Sequence, residues 1–263
     1  MALVHIFAAS KTEAEPVRRI AHATISGASA EALPLRFGGN DFLLVVGGMG
    51  PRAARAKAVE ALTLPPLSDG VPFANEPKPD AVLVIGFCGG LSRSLSENQI
   101  VAYTVCMSTD QNKPPLRCSQ SVTNGLIELL KSRGIACDAV TGITSPRVAV
   151  TKEERLALGQ SGASAVDMES YEILAVASQA RIPGAVLRVV SDSLDREMPD
   201  FNRALRTDGT VNRWQLVRVM LGSPLRTARL LGLNKRAMQH FAKALEVILP
   251  ADCFARATPF MGE

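Results

Sequence analysis

Residues 165–195 constrain the fold of this 263-residue chain more than any other stretch. The segment AVDMESYEILAVASQARIPGAVLRVVSDSLD follows an apolar run at 163–166 and places Ile173, Leu174, Val176 and Ala177 at helical spacing, with Pro183 as the stop. Ala185 to Val190 is then an apolar, valine-rich run of the length of one strand buried on both faces. The pattern predicts a βαβ-like unit with carboxylates at both ends: Asp167 and Glu169 before the helix, Asp192 after the second strand. Ligands in parallel α/β sheets gather at such strand ends, which makes these acids, with Ser191, candidate site residues. Each acid also has a plain structural reading. Glu169 suits the first turn of a helix, where it complements the macrodipole, and Asp192 suits a turn.

The chain before this unit reads as further strands and helices in alternation. Val4 to Ala9 predicts a strand, and residues 10–16 lead into a helix through Ile20, with capping-box spacing at both Ser10/Glu13 and Thr12/Glu15. Phe42 to Val46 predicts a strand running into Gly47-Gly48-Met49-Gly50, and Pro51 opens a helix ending near Leu64. The amides around Gly48 and Gly50, with Arg52 beside them, can hold an anion. The same glycines fit GxGxxA, but the next strand, Ala81 to Ile85, ends in Gly86 where a dinucleotide site wants an acid. No cofactor is expected. Prolines 65, 66, 72, 77 and 79 predict an exposed loop. In Gly86-Phe87-Cys88-Gly89-Gly90 the glycines let backbone approach a ligand closely, and Cys88, with no histidine tied to it, reads as an unreactive thiol. Residues 99–107 and 136–143 predict strands, 124–133 a helix, and Thr151-x-x-Glu154 the capped start of another.

Composition excludes several classes. At 47% hydrophobic and 5% aromatic the chain can bury a full α/β core. No run nears the roughly 18 apolar residues of a membrane span, and the opening MALVHIFAASK reads as a strand, not a secretion signal. Five cysteines without CxxC spacing and three scattered histidines predict a reduced, cytoplasmic protein with no metal site. From Arg203 to Arg236 the chain carries eight Lys/Arg against Asp208 alone, so residues 203–263 are expected to form a basic helical extension to an α/β domain at 1–202. Trp214, Val217 and Leu221 share one helical face, and a second helix is expected from near Pro224. Such a face packs on its own domain, on a sister subunit of a homo-oligomer, or on anionic membrane. Nothing patterned for nucleic acid accompanies the charge.

VDMES followed by LRVVSD, together with VVGGMGPRAA (45–54) and VLVIGFCGGLSRSLSENQIV (82–101), resembles the nucleoside phosphorylase and nucleosidase superfamily over roughly the first two hundred residues. The tail from DGTVNRWQLVRVMLGSPLRTARLLGL is similar to that of its hopanoid-associated phosphorylases. The resemblance implies a single α/β domain with a central mixed sheet, and cleavage of the N-glycosidic bond of an adenine nucleoside. It implies that an acid at the head of the first helix reaches the reacting centre, with Glu15 aligning best and Glu13 in reserve. Glu15, Glu169 and Arg188 then match positions around the attacking water of hydrolytic relatives. Asp192 is expected to protonate the leaving base, its burial favouring the protonated form, while Glu169 accepts hydrogen bonds from ribose hydroxyls and Met168 packs on the sugar. Asp167, Phe87, Cys88 and Gly89 complete the nucleoside site. The serine and arginine that hold phosphate in many phosphorylases are replaced by Phe87 and Val84, so phosphate and water both stay open as acceptor. The subgroup implies adenosylhopane as substrate and peripheral membrane contact. A salvage nucleosidase and a non-catalytic nucleoside binder are the alternatives.

Overall fold

The computed structural model describes residues 1–21, 32–63, 78–196, 200–204, 212, 214 and 224–254. The elements run β1 (Leu3–Ala8), α1 (Lys11–Ile20), β2 (Ala32–Phe37), β3 (Asn40–Val46), α2 (Pro51–Leu62), β4 (Ala81–Gly90), β5 (Ile100–Ser108), β6 (Leu116–Arg117) and α3 (Gln120–Ser132). β7 (Cys137–Thr144), α4 (Lys152–Gly159), β8 (Ala165–Asp167), α5 (Ser170–Gln179), β9 (Gly184–Asp192) and α6 (Pro224–Ile248) follow. The nine strands form one mixed sheet, the α/β architecture the sequence implies. No helix among the described residues is long and apolar enough to cross a membrane.

β4 organises this sheet because it has partners on both edges. β1 lies parallel to its first half along one edge, pairing as far as Ile85. β8 takes over the same edge, antiparallel, at Gly89 and Gly90. β9 runs parallel along the opposite edge from Val82 to Gly89, with a register shift between Cys88 and Gly89. β9 in turn pairs β5 antiparallel, β5 pairs β7, and β7 pairs β8, so the five strands close a ring back to β4. The ring is filled: a Cβ on Gly142 would collide with the ring of Tyr103, which is wholly buried. The predicted βαβ-like unit is therefore not a parallel crossover. β8 and β9 border opposite edges of β4 and run against each other, because β8 spans only three residues and its helix turns back at once.

Local chemistry sets the element ends as the sequence predicts. Ser10 and Glu13 form the capping box of α1, Thr151 and Glu154 that of α4, and Pro51 opens α2. β2 was not expected. It forms an antiparallel hairpin with β3 over Gly38 and Gly39, both at positive φ, the backbone that a tight hairpin turn demands.

The end of the basic extension is part of the core. Ala237, Phe241, Ala244, Leu245 and Ile248 form one helical stripe, each fully buried, on the side of the sheet where α6 meets β9, α1 and α3. Beyond α6, Asn40 ties the chain back: its amide donates to the carbonyls of Leu249 and Ala251 while its oxygen accepts from Ala2 N. Phe254 packs edge-on against Phe42, ring centroids 6.3 Å apart. Trp214 is 81% exposed, whereas Val217 and Leu221, its expected companions, and most of the proline-rich loop lie outside the described residues. If α6 supports the sheet in this way, Phe241→Ala should cost about 3–5 kcal/mol of unfolding free energy, read from urea melts. A loss near zero would make the helix peripheral.

Candidate active site

The site lies where β4 changes partner. Between Ile85, the last residue paired with β1, and Gly89, the first paired with β8, one edge of β4 has no strand beside it. Side chains fill this gap. The Phe87 amide donates to Glu13 Oε1 at 2.8 Å, and Arg188 Nη1 donates to the carbonyls of Ile85 and Phe87, both at 3.3 Å. Arg188 sits directly opposite Gly86 in the β4–β9 ladder. Gly86 has φ +142°, and a Cβ there would overlap Glu13 and lie 2.6 Å from Arg188 Nη1. Only glycine lets the two side chains pass.

Arg188 is 1% exposed and is the hub of the cluster. Its Nη2 donates to Ser170 Oγ at 2.8 Å and approaches Asp167 Oδ2 at 3.3 Å and Glu169 Oε2 at 3.6 Å. Burial alone lowers the proton affinity of this guanidinium, but the charges of Asp167 and Glu169 outweigh it and raise the pKa. Asp167 is itself committed behind the site: its Oδ1 accepts from Thr144 Oγ1 and from the amides of Glu169 and Ser170 at the start of α5. The structure thus commits Asp167 to contacts with β7, the start of α5 and Arg188.

Glu169 links three distant segments. Its Oε1 accepts from the Gly50 amide at 2.9 Å and its Oε2 faces Arg188. The anion-holding amide of the glycine turn is therefore filled by the chain's own carboxylate. Burial, with the Asp167 and Glu13 charges adding to it, pushes Glu169 up to about 7 against the pull of Arg188. Met168, half-buried, projects its methyl toward Gly50 beside this carboxylate.

The acid at the head of α1 is Glu13 and not Glu15. Glu13 is 5% exposed and serves twice, Oε2 capping Ser10 N and Oε1 holding Phe87 N. Glu15 points along the outer face of α1 in an ion pair with Arg19, one turn on. Helical geometry explains the correction, since residues two apart face away from each other. Arg52 is exposed on α2 and Lys11 on α1, and neither forms an ion pair among the described residues.

A second polar group lies three residues farther along β4, about 10 Å at the rise of a strand. Asp192 pairs with Gly89 across the bulge and is 3% exposed. Its Oδ1 accepts a short hydrogen bond from Ser191 Oγ, which also reaches the Cys88 carbonyl. Its Oδ2 is in close contact with Arg155 Nη2 of α4. Asp192 is thus held between an ion pair from α4 and a hydrogen bond from its neighbour in β9. Cys88 points into the core, and burial pushes its thiol well above the usual thiol range, so it offers no nucleophile. Arg155 was not foreseen: an arginine in the short helix sequence KEERLALG looks like surface charge.

Comparison with known proteins places this geometry. A family model described as the phosphorylase superfamily matches residues 4–214. The fold is similar to the 5′-methylthioadenosine/S-adenosylhomocysteine nucleosidase of Neisseria meningitidis in complex with methylthio-immucillin-A, with TM-score 0.71 and 17% identity over 95% of this chain and 99% of that one. The Campylobacter jejuni nucleosidase of the same name gives 0.67 and 13% over 94% and 99%. A futalosine hydrolase mutant of Helicobacter pylori gives 0.58 and 17% over 89% and 99%. A search of curated proteins by sequence found no match.

The charge on Glu169 should be held at a cost in stability. With its folded value near 7 and its unfolded value near 4.5, the native state binds the extra proton between these limits. Its contribution is then fully present below pH 4.5 and lost as pH rises through 7. Glu169→Gln should match the wild type near pH 5 and exceed it by about 1–3 kcal/mol at pH 8, by urea unfolding, while losing activity. A destabilised variant at pH 8 would show instead that the ionised form supports the fold.

Proposed function

Because this chain belongs to the phosphorylase superfamily, we propose that it cleaves the N-glycosidic bond of an adenine nucleoside and that water is the acceptor. The observation that carries this reading is the Glu13 carboxylate held in the β4 gap beside Glu169 and Arg188. Loss of the base leaves a cationic, oxocarbenium-like sugar, which neighbouring carboxylates stabilise. Glu13, anchored by one oxygen to Phe87, is positioned to take a proton from water as the water oxygen bonds to the sugar carbon. Glu169 accepts hydrogen bonds from sugar hydroxyls, Met168 packs on the ribose, and the Gly89–Ser191–Asp192 end of the β4–β9 pair receives the base. The methylthioadenosine nucleosidases and the futalosine hydrolase on the same fold support this chemistry by analogy.

Electrostatics argues against phosphate as the acceptor. Phosphate sites offer unoccupied amides and cations. Here the Gly50 amide is bonded to Glu169, the Phe87 amide to Glu13, and Arg188 to Asp167 and Glu169. Glu13 and Asp167, joined by Glu169 where it is ionised, outnumber the one guanidinium and repel a dianion. The 5′ substituent is a separate matter. The likeness of the C-terminal tail to hopanoid-associated relatives and the exposed Trp214 favour a lipid-linked nucleoside met at a membrane surface.

Adenine release from methylthioadenosine and adenosylhopane, with and without phosphate, tests both parts. Release is expected without phosphate, giving the free sugar. Glu13→Gln should slow it by about 10²–10⁴-fold, while Glu15→Gln should stay within about twofold. Strict phosphate dependence with a sugar 1-phosphate product would overturn the water mechanism, and binding without cleavage would leave a nucleoside binder. Faster cleavage of methylthioadenosine, with no salt-sensitive vesicle binding, would return the protein to salvage.

A further inference from the structure

Arg155 has no assigned part in the reaction, yet its side chain is completely enclosed and completely engaged. It is 1% exposed; its Nε donates to the Ala149 carbonyl at 3.2 Å, Nη1 to the Ser193 carbonyl at 3.0 Å, and Nη2 contacts Asp192 Oδ2. The two carbonyls fix the guanidinium on either side of the ion pair. α4, which delivers it, is pinned by the Thr151–Glu154 capping box and by the Val150 amide bonded to Glu154. Gly89 completes the fit: a Cβ there would lie 3.2 Å from Asp192 Oδ2 and 3.6 Å from Arg155 Nη1. A buried ion pair is poor at stabilising a fold, because desolvation offsets much of the attraction. One built around a carboxylate at the base end of the site calls for a chemical reason.

We propose that Arg155 is a positioning residue that holds Asp192 as an oriented anion, so that the leaving base is protonated from solvent and the proton is then shared with Asp192, which stores none itself. The inference rests on the reading of the chain as an adenine nucleosidase. Arg155 occupies one oxygen and Ser191 the other, leaving the carboxylate's remaining lone pairs to accept an N–H of the base. The imidazole nitrogen of the base takes a proton from solvent and forms that N–H. As the glycosidic bond breaks, its electron pair enters the base, which departs as neutral adenine with the proton still on the ring. The water that attacks the sugar gives its proton to Glu13, which returns it to solvent, so charge and protons balance. Among the described residues the groups around Asp192 are few. Arg155 comes from α4, the Cys88 thiol from β4, Val166 from β8 is apolar, and Lys152 and Asp195 pair with each other at the rim.

The test compares wild type, Arg155→Gln and Arg155→Lys for adenine release from methylthioadenosine between pH 5 and 9, with carboxyl ¹³C NMR of the free proteins and Asp192→Asn to identify the signal. Arg155→Gln is expected to lower kcat about 10–100-fold with KM changed by less than about threefold, and to move the alkaline limb of the profile up by about one pH unit or more. Its Asp192 signal should depend on pH across this range, whereas the wild-type signal stays that of a carboxylate. Arg155→Lys keeps the charge with fewer anchors, and should hold the wild-type limb with kcat within about tenfold. A wild-type limb in folded Arg155→Gln, or a wild-type Asp192 signal that titrates, overturns the proposal. Should Arg155→Gln not fold, a displaced limb in Arg155→Lys overturns it as well. A wild-type chain that releases no adenine defeats the nucleosidase reading itself, while the NMR arm still reports whether Arg155 sets the charge of Asp192.

Discussion

A guanidinium buried beside the central strand is the constraint around which this molecule is arranged. Arg188 on β9 has lost its water, and only the combined partners Asp167, Glu169, Ser170 and two β4 carbonyls replace it. Removing Asp167, the nearer carboxylate, would leave buried charge uncompensated, a far larger penalty than any surface pair could offset. The requirement spreads outward. Asp167 must be held by the start of α5, Glu169 by the glycine turn before α2, and Glu13 by the cap of α1. Core and candidate active site are therefore one structure, and the glycine at position 86 is the clearance that makes it possible.

How much of this was legible in the sequence depends on how local each determinant is. Pro51, the Ser10 and Thr151 caps and the valine-rich run of β9 act over a few residues, and the elements they predict are present. The direction of β8 against β9 could not be read, because it depends on which edges of β4 are free. β2 is marked only by the Gly38–Gly39 turn, and Pro34 within it is compatible with a strand only at a sheet edge, where β2 lies.

The candidate site residues divide the same way. Asp192, Glu169 and Met168 stand at the ends of strongly patterned elements, and the resemblance singled them out. Glu13 and Glu15 have the same capping-box spacing, and what separates them is an amide 74 residues away. Arg155 had no mark at all, because its partner lies across the fold and its neighbours in sequence are solvent-facing charges. The basic tail shows a related limit: its charge drew attention to the surface, while the apolar stripe from Ala237 to Ile248 is in the centre of the molecule.

The closed ring of strands has a consequence for how the chain acquires its activity. Ile85 and Arg188, which meet in the gap, are 103 residues apart, and Gly50 and Glu169 are 119 apart. Contacts of such sequence separation pay their loop-closure entropy before they return any stabilisation, so they form late in folding. Helices and the β2–β3 hairpin rest on local contacts, whereas the cluster around Arg188 needs β4, β8 and β9 together with the starts of α1 and α2. The candidate site is in this sense a latch: its residues are present in any partly folded chain, but they meet only when strands and helix starts far apart in the chain come together.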